Sequence, residues 1–579
     1  MILIEYGLGL LEQDSFVSVW WYRFKRLLKI DANGSNFQEN FIDASYWFFS
    51  VAFSGTIIAF LAAKISGFLQ VLKNGRSMVL DTNHYVIVGW NSTIFKIFEE
   101  IKIANENQEK PTILCFNGMD NVEMNAKIDL EHPNKKGLRI ITRSGDVYSA
   151  QDLARTNMTQ AKCVIILDDN VTPDFNIETT ILATKINLNE GNIPIIPQMF
   201  KEGNLELLSK NIGHDIYPIY KNKTIANVTA QTIRGKHISS IVLDFLDYDG
   251  DEIYFFPSND LCGKTFKQAM IMLSEVTLIG LMSSNETVTL NPEKDRIILK
   301  DDFLIVIAQD DDIDIKYTSG SSFDEALNKV IITPDSSSQK EELSILVLGW
   351  SEMGNEIINK TLPFLSNDAH IHIAYKEGLV LNSPKNTIDS QIRLNFTKLQ
   401  SNQNTAIRNI LDNNEFDIVL IVGYDDILPN IVADTNVLML NSYVQSVLDE
   451  KNLSKSPRII LHLNDGSKKE LIPDNPFNEL IVSDNLSALV ITQLADNPKL
   501  WYVFEELFNG GGLKIHETPV TNYCLPDKSL ILSVGDLILM TLEKDQTFIG
   551  YILDDKLHLN PPKNHTIRQT NNLSLVYIK

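Results

Sequence analysis

The chain has 579 residues, a length that predicts roughly three to five folded domains rather than one compact core. Apolar residues make up 44% of the chain and charged residues 22%, so neither a disordered nor a fibrous protein fits. The formal net charge of -23 repels polyphosphate backbones, which argues against nucleic acid and favours cations as partners. The four cysteines show no CxxC pair and no nearby histidine cluster, and this indicates free thiols in a reducing compartment.

The first predicted element, Phe16 to Leu28, is an aromatic and basic amphipathic helix that is too short and too charged to span a bilayer. A polar turn follows it, made of Asp31, Ala32, Asn33 and Gly34. A short helix, a turn and then a spanning helix are the order of a pore helix, a filter and a pore-lining helix, because irregular backbone is tolerated at membrane depth only where it is buried or lines water. The four turn residues are therefore pore or filter candidates. A plain interfacial anchor explains the same pattern equally well.

An apolar segment comes next. The stretch from Ala44 to Ala63 is uncharged, and at about 1.5 Å per residue it is long enough to cross a hydrocarbon core. It begins beyond position 40, which argues against a secretory signal. A buried helix of a globular domain is the alternative, because Lys64 interrupts the apolar run.

The rest of the chain contains a repeat. Two aliphatic runs end in Gly-Trp, at Gly89 and Gly349, and each precedes a helical pattern. Downstream, both copies have a strand-like run followed by an aspartate pair, and later a Leu-Asn-Pro sequence, at nearly the same offset. Three landmarks at nearly one offset indicate a duplicated unit.

The alternation of strands and helices predicts an α/β fold: an N-terminal transmembrane helix with a short pore-like helix, then two tandem Rossmann-like domains, each with a small α+β C-terminal subdomain. In the first subdomain, Leu243 to Tyr254 resembles two strands around an Asp-Gly turn. The predicted boundaries are 1–40 for the pore-helix-like segment and turn, 41–76 for the transmembrane helix and linker, 77–235 and 236–315 for the first copy, 316–340 for a linker, and 341–499 and 500–579 for the second copy.

Neither copy has an intact dinucleotide-binding fingerprint, which needs three glycines and an acid on the ribose. The first copy keeps only Gly89, with Trp90 beside it, and the second keeps Gly349 and Gly354 but has Ser351 between them. We therefore expect no nucleotide-dependent enzyme. The helix N-terminus after each turn could still hold a small anion.

Four stretches carry a family resemblance: residues 72–77, 83–90, 141–146 and 152–154. Together they resemble the conserved block of the CASTOR/POLLUX ion-channel family, whose members are cation channels with tandem RCK (regulator of K+ conductance) domains after the pore. The close match covers about residues 70 to 170.

The resemblance implies a homo-oligomer, a tetramer, whose RCK domains form a cytosolic ring beneath a membrane pore, and a bacterial plasma membrane is the expected location. Family members carry further spanning helices before the pore, so either the start of this chain is truncated or this form cannot conduct alone. Together, the resemblance and the repeat indicate that the loops at the carboxyl ends of the parallel strands are candidate ligand-binding loops. The Arg143 loop could equally be a structural turn. The loop candidates are Gly89, Trp90, Arg143, Ser144, Gly145, Asp146, Asp168, Asp169, Gly349, Trp350, Gly354, Asp425 and Asp426.

Two acidic clusters could bind Ca2+ as a gating ligand, because calcium prefers six to eight oxygen ligands from flexible loops. Their spacing does not match an EF-hand, and solvated surface acids are the simpler explanation. The metal candidates are Asp244, Asp247, Asp249 and Asp251 in the first cluster and Asp310, Asp311 and Asp312 in the second.

The sequence as a whole predicts a subunit of a ligand-gated cation channel, with membrane lipid and monovalent or divalent cations as partners and no nucleic acid. The main alternative is a regulatory subunit, anchored by one membrane helix, that controls a separate transporter or channel. An upstream extension with more apolar spans would favour the channel.

Overall fold

A computed structural model describes residues 20–21, 24, 37–73, 75–169, 176–187, 193–199, 215–248, 250–310, 342–388, 392–400, 403–451, 456–472, 478–508, 513–524, 531–568 and 572–579. The turn Asp31 to Gly34, the residues Asp249, Asp311 and Asp312, and the predicted linker 316–340 lie outside these ranges.

The N-terminal part contains one long helix, α1 (Phe37–Lys73). Within the described residues, its stretch Trp47–Gly67 is the one helical segment long and apolar enough to cross a membrane, and its side chains are exposed. Lys64 lies one turn after Phe60, with its ammonium 5.7 Å from the ring centroid. Of the first predicted helix, Trp20, Trp21 and Phe24 are described; they are helical, and their rings stack.

The first Rossmann-like half is a six-stranded parallel sheet with the order β3-β2-β1-β4-β5-β6. Its central strands are short runs of β-branched and aliphatic residues that are buried throughout, as expected for a sheet covered by helices on both faces. Its elements are β1 (Tyr85–Val88), α2 (Thr93–Ala104), β2 (Thr112–Asn117), α3 (Asn121–Glu131), β3 (Arg139–Ser144), α4 (Ala150–Ala154), β4 (Cys163–Ile166), α5 (Ile177–Asn187), β5 (Ile195–Met199), β6 (Ile219–Tyr220) and α6 (Lys221–Arg234).

A small subdomain follows, with a four-stranded antiparallel sheet of order β7-β10-β8-β9. It comprises α7 (Ile238–Leu246), β7 (Glu252–Pro257), α8 (Phe266–Met272), β8 (Thr277–Met282), β9 (Val288–Leu290) and β10 (Phe303–Ala308). The prediction of two strands across Leu243 to Tyr254 is wrong for its first half, because Leu243 and Leu246 belong to helix α7. Ile238, Ile241, Val242 and Phe245 recur at helical spacing and are buried, so the 3.6-residue period prevails over the β-branched composition.

The second half repeats this arrangement, with a parallel sheet of order β13-β12-β11-β14-β15-β16 and an antiparallel sheet of order β17-β22-β19-β20 beside the pair β18-β21. The duplicated α/β architecture is thereby confirmed. Its elements are β11 (Ser344–Leu348), α9 (Glu352–Thr361), β12 (His370–Tyr375), α10 (Pro384–Thr387), β13 (Arg393–Lys398), α11 (Gln403–Asn413), β14 (Ile418–Ile421), α12 (Asn430–Lys451), β15 (Arg458–Leu463), β16 (Asn478–Val482), α13 (Ser483–Asp496), α14 (Leu500–Phe508), β17 (Ile515–Pro519), β18 (Ile531–Ser533), α15 (Val534–Leu542), β19 (Thr547–Leu553), β20 (Lys556–Leu559), β21 (Thr566–Arg568) and β22 (Leu573–Ile578).

The two halves exchange their last Rossmann helices. Helix α6 of the first half packs against α9 of the second, and α13 of the second half packs against α2 of the first. Helix α13 is buried from Leu486 through Ala495, which is the pattern of a helix enclosed on all sides rather than one that covers a surface. One hydrophobic core therefore runs through both halves.

Candidate functional site

Each Gly-Trp turn connects the first strand of a parallel sheet to the next helix. Gly89 has φ +94° and Gly349 has φ +86°, a backbone region that favours glycine. A Cβ atom at Gly89 would lie 2.5 Å from the Leu167 carbonyl oxygen, and a Cβ atom at Gly349 would collide with the Val422 carbonyl oxygen. Both turns are therefore fixed against the neighbouring strand of the sheet.

In the first half, Asn91 organises the end of the sheet. Its amide nitrogen donates to the Asp168 carbonyl oxygen at 3.0 Å, to Asp168 Oδ1 at 3.2 Å and to Gln198 Oε1 at 2.9 Å. Its amide oxygen accepts from the Thr93 backbone N–H at 3.1 Å, at the start of α2. Asp168, which Asp169 follows after β4, thus lies beside the Gly89 turn.

A carboxylate from the second half completes this site. Asp484, in the first turn of α13, accepts from Ser92 Oγ at 2.5 Å, from Thr93 Oγ1 at 3.3 Å and from Lys221 Nζ at 3.2 Å. Lys221 is the first residue of α6, so the starts of both exchanged helices meet at this ion pair.

The ion pair is buried, with 8% of the Lys221 side chain and 7% of the Asp484 side chain exposed. Burial lowers the pKa of Lys221, but Asp484, Asp168 and Asp425 raise it further, so the net pKa lies above its ordinary value. The lysine is therefore a fixed positive charge that holds aspartates from both halves. We call Asn91, Asp168, Lys221, Asp425 and Asp484 the crossing site.

In the second half, an aspartate pair follows β14. The Asp426 carboxylate accepts from the Glu352 backbone N–H at 2.9 and 3.1 Å, at the start of α9, and Asp425 Oδ1 accepts from Asn464 Nδ2 at 2.8 Å. Burial raises the pKa of Asp426 to about 6, with Asp425 and Glu352 adding to the effect. Ser351 also caps α9, through a bond from the Gly354 backbone N–H.

The protein's own side chains therefore occupy the helix N-terminus at which a dinucleotide fold binds pyrophosphate. Trp350 adds to this, because it is buried and a Cβ at Gly354 would lie 3.4 Å from its ring. In the first half, Trp90 packs edge-on against Phe95. Gly354 therefore leaves room for the Trp350 ring.

The Arg143 loop lies away from the crossing site, at the edge strand β3 of the sheet. Ser144 Oγ donates to the Met119 carbonyl oxygen at 2.8 Å, and Asp146 accepts from the Tyr148 backbone N–H at 3.0 Å. The Arg143 guanidinium donates to the Thr142 carbonyl oxygen, and Gly145 adjoins Arg155. These contacts are those of a local turn.

The first acidic cluster extends from the end of α7 to the start of β7. Burial raises the pKa of Asp244, and Asp251 and Asp247 raise it further; burial also raises the pKa of Asp251, which accepts from Asn560 Nδ2 at 3.1 Å. Asp310 follows β10. Among the residues that the structure describes, no group of three or more His, Cys, Asp or Glu is arranged to hold a metal ion. Calcium binding stays a prediction.

Sequence reasoning missed Asn91, Gln198, Lys221 and Asp484, which make most of the contacts at the crossing site. One signal was available: a lysine at the first position of a helix opposes the helix dipole and therefore needs another reason to be there. Its partner, 263 residues further along, has no such signal.

Comparison with known proteins identifies relatives of this chain. Residues 222–323, which span α6 and the first small subdomain, match a family model described as "Castor and Pollux, part of voltage-gated ion channel". The probable ion channel CASTOR of Oryza sativa subsp. japonica is 23% identical over 92% of this chain and 63% of its own length. These matches confirm the resemblance of the chain to the CASTOR/POLLUX family. The ion channel CASTOR of Lotus japonicus is 22% identical over 89% of this chain and 64% of its own length, so the chain spans less than two thirds of these relatives.

The structure of the human SLO3 gating ring has the same fold as this chain, with a TM-score of 0.58, 14% sequence identity, and coverage of 86% of this chain and 98% of that one. This likeness confirms tandem RCK-type domains as the fold. The CASTOR relatives from Oryza sativa and Lotus japonicus are plant proteins, and they give no support to the expected bacterial plasma membrane.

Proposed function

We propose that this chain is a subunit of a ligand-gated cation channel, in which the tandem RCK-type halves form a cytosolic sensor and α1 lies in the membrane. The observation that carries the proposal is the joining of two features in one chain: an exposed apolar stretch of 21 residues and a pair of halves interlocked by exchanged helices. Interlocked halves can move as a unit, and a ligand that favours one arrangement of them can then shift a pore equilibrium.

We further propose that the channel is a tetramer and that calcium is its gating ligand. Asp244, Asp247 and Asp251 support the second point, because burial raises the pKa of Asp244, the charges of Asp251 and Asp247 raise it further, and a bound cation would relieve that repulsion. Calcium would need further oxygen ligands beyond these three.

The test is reconstitution of the purified full chain. Its mass in detergent is measured by light scattering, and cation flux into liposomes is measured with and without calcium, with protein-free liposomes as the blank. We expect a tetramer and a calcium-dependent flux. A monomer without flux would refute the channel and favour the anchored regulatory subunit.

A matched pair of variants tests the ligand separately. Asp244→Asn combined with Asp251→Asn should shift the calcium dependence of flux at least tenfold, because it removes two carboxylates from the cluster. Asp260→Asn, at an exposed aspartate of the same subdomain, should leave it unchanged. Equal calcium dependence in all three proteins would exclude this cluster as the sensor and leave the channel proposal standing.

A further inference from the structure

Two histidines share one face of strand β12, next to the edge strand β13 of the second parallel sheet. The ring centroids of His370 and His372 lie 6.2 Å apart, and they lie 6.5 and 6.2 Å from the centroid of Phe416. His372 Nε2 lies 2.9 Å from Thr397 Oγ1, on β13. We call His370 and His372 the histidine pair. Its rings contact both the edge strand and the Phe416 ring.

Each ring has one buried nitrogen without a hydrogen-bond partner among the described residues: Nε2 of His370 and Nδ1 of His372. A neutral imidazole can leave one nitrogen without a proton, whereas a protonated imidazole carries an N–H group on both. Protonation would therefore place a hydrogen on a buried nitrogen that has no acceptor. Because a buried donor without an acceptor is destabilising, this packing favours neutral rings.

The charges around the histidine pair oppose protonation as well. Burial lowers the pKa of His370 below its ordinary value of 6.5, and the Arg393 guanidinium on β13 lowers it further. Burial also lowers the pKa of His372, and His370 adds to the effect. Within the described chain, no carboxylate offsets these effects.

The other charged groups of the adjoining elements are exposed or have partners of their own. Helices α11 and α12 cover this face of the sheet, and the Phe416 loop follows α11. The groups are Glu415, which is exposed; Asp417, which accepts from the Ser344 backbone N–H at 3.1 Å; and the ion pairs Arg408–Glu450, Asp412–Lys451 and Lys398–Glu377.

The fold does not require a histidine at this place, because the repeat has leucine there. Strands β1 and β11 each end directly before a Gly-Trp turn, so Phe116 and Ala374, which pair with their last residues, are equivalent. Two residues earlier lie Leu114 in the first half and His372 in the second. Leu114 is fully buried. The second half therefore has a titratable ring where an apolar side chain fills the first.

We propose that the histidine pair is an acid-sensitive joint between β12 and the edge strand β13. With neutral rings, the bond to Thr397 and the packing against Phe416 hold β13 in place. A proton on either ring adds a buried charge, and separation of β13 lets water reach it. Among the described strands, β13 pairs with β12 alone, so it can separate while the rest of the sheet stays paired.

The direction of the response follows from linkage. The folded state holds the rings neutral, whereas a released ring binds a proton near its ordinary pKa of 6.5. The contribution of the joint to stability is therefore present above that pH and is lost as the pH falls below it. Acid should loosen β13.

Hydrogen exchange of the purified full chain in detergent, followed by mass spectrometry, tests the joint. Protection of β13 is compared at about pH 7.5 and about pH 5, after correction for the intrinsic exchange rate at each pH. We expect β13 to lose protection at least about tenfold at the lower pH, and β14 of the same sheet to change by less than about threefold. Unchanged protection of β13, or an equal loss in β14, would overturn the proposal.

Two variants test the histidines themselves. His370→Gln combined with His372→Gln keeps polar side chains that do not titrate, so protection of β13 should change by less than about threefold between the two pH values. Arg393→Gln, at an exposed residue, removes a charge that opposes protonation of His370. Its β13 should therefore loosen at a higher pH than that of the unmodified chain, and this variant keeps the test open if the double variant does not fold.

His558→Gln is the matched control. His558 also stacks on an aromatic ring, with its centroid 4.8 Å from that of Tyr551, but it is exposed, so water can solvate its charge. This variant should respond to acid as the unmodified chain does. A folded double variant that keeps the full acid response would overturn the proposal, as would loosening of β13 in Arg393→Gln at the same or a lower pH. None of these results bears on ion conduction, which hydrogen exchange does not measure.

Discussion

Asp484→Ala tests whether the crossing site holds the two halves together. The substitution removes the acceptor of three hydrogen bonds, including the carboxylate that lies 3.2 Å from the buried Lys221 ammonium. Breaking a buried ion pair from one side costs about 3–5 kcal/mol, and the two orphaned hydroxyls of Ser92 and Thr93 add to the loss. We expect the free energy of unfolding to fall by about 4 kcal/mol.

Lys221→Met should cost a similar amount, because it leaves Asp484 buried without its cation. The combination of Lys221→Met with Asp484→Leu should cost less than the sum of the two single changes, because neither member of this ion pair is left buried without the other. Urea unfolding of the full chain in detergent, followed by far-ultraviolet circular dichroism, measures all three. Glu123→Ala is the control: its pair with Lys127 is exposed, and we expect a change below about 0.5 kcal/mol. Single losses below about 1 kcal/mol, or a double loss equal to the sum, would refute the reasoning.

Three further predictions concern stability. Burial raises the pKa of Glu252 to about 7 from 4.5, so the native state retains a proton that the unfolded chain releases. The free energy of unfolding should therefore fall by about 3 kcal/mol as the pH rises from 4.5 to 7. Glu252→Gln should flatten that part of the curve of stability against pH. The Asn291 side chain accepts a hydrogen bond from Thr547 in the other small subdomain, and the Asn560 side chain accepts one from Thr277 in return. Asn291→Ala and Asn560→Ala should each lower the free energy of unfolding in urea by about 1–2 kcal/mol. An unchanged free energy in both variants would refute this reciprocal contact. Gly349→Ala should cost at least about 3 kcal/mol in thermal or urea unfolding because its Cβ would meet a backbone carbonyl, whereas Gly378→Ala, with open space around it, should change stability by less than about 0.5 kcal/mol.

Much of the fold could be predicted from the sequence, because buried parallel strands leave short aliphatic runs and a duplication repeats its landmarks. The runs that end at Gly89 and Gly349 are β1 and β11, and the Leu-Asn-Pro sequences supply the reciprocal Asn291 and Asn560 contacts. These signals are local or periodic, so a single chain displays them.

The exchange of helices could not be predicted in the same way. Helix α13 is buried on all sides, and nothing in its sequence pattern says which sheet will cover it. The contact between Lys221 and Asp484 joins residues 263 apart, and it exists only once the halves have packed. The prediction for Leu243 to Leu246 failed for a related reason: a short apolar stretch fits strand or helix until its neighbours are known.

Current recording from the full chain in a planar lipid bilayer tests the central claim most directly, with calcium added to one side at a time. If the chain forms a channel gated through its interlocked halves, we expect discrete cation-selective openings whose probability changes when calcium reaches the sensor side alone. A chain that inserts into the bilayer, with folded halves, and shows no openings at any calcium concentration would contradict the account.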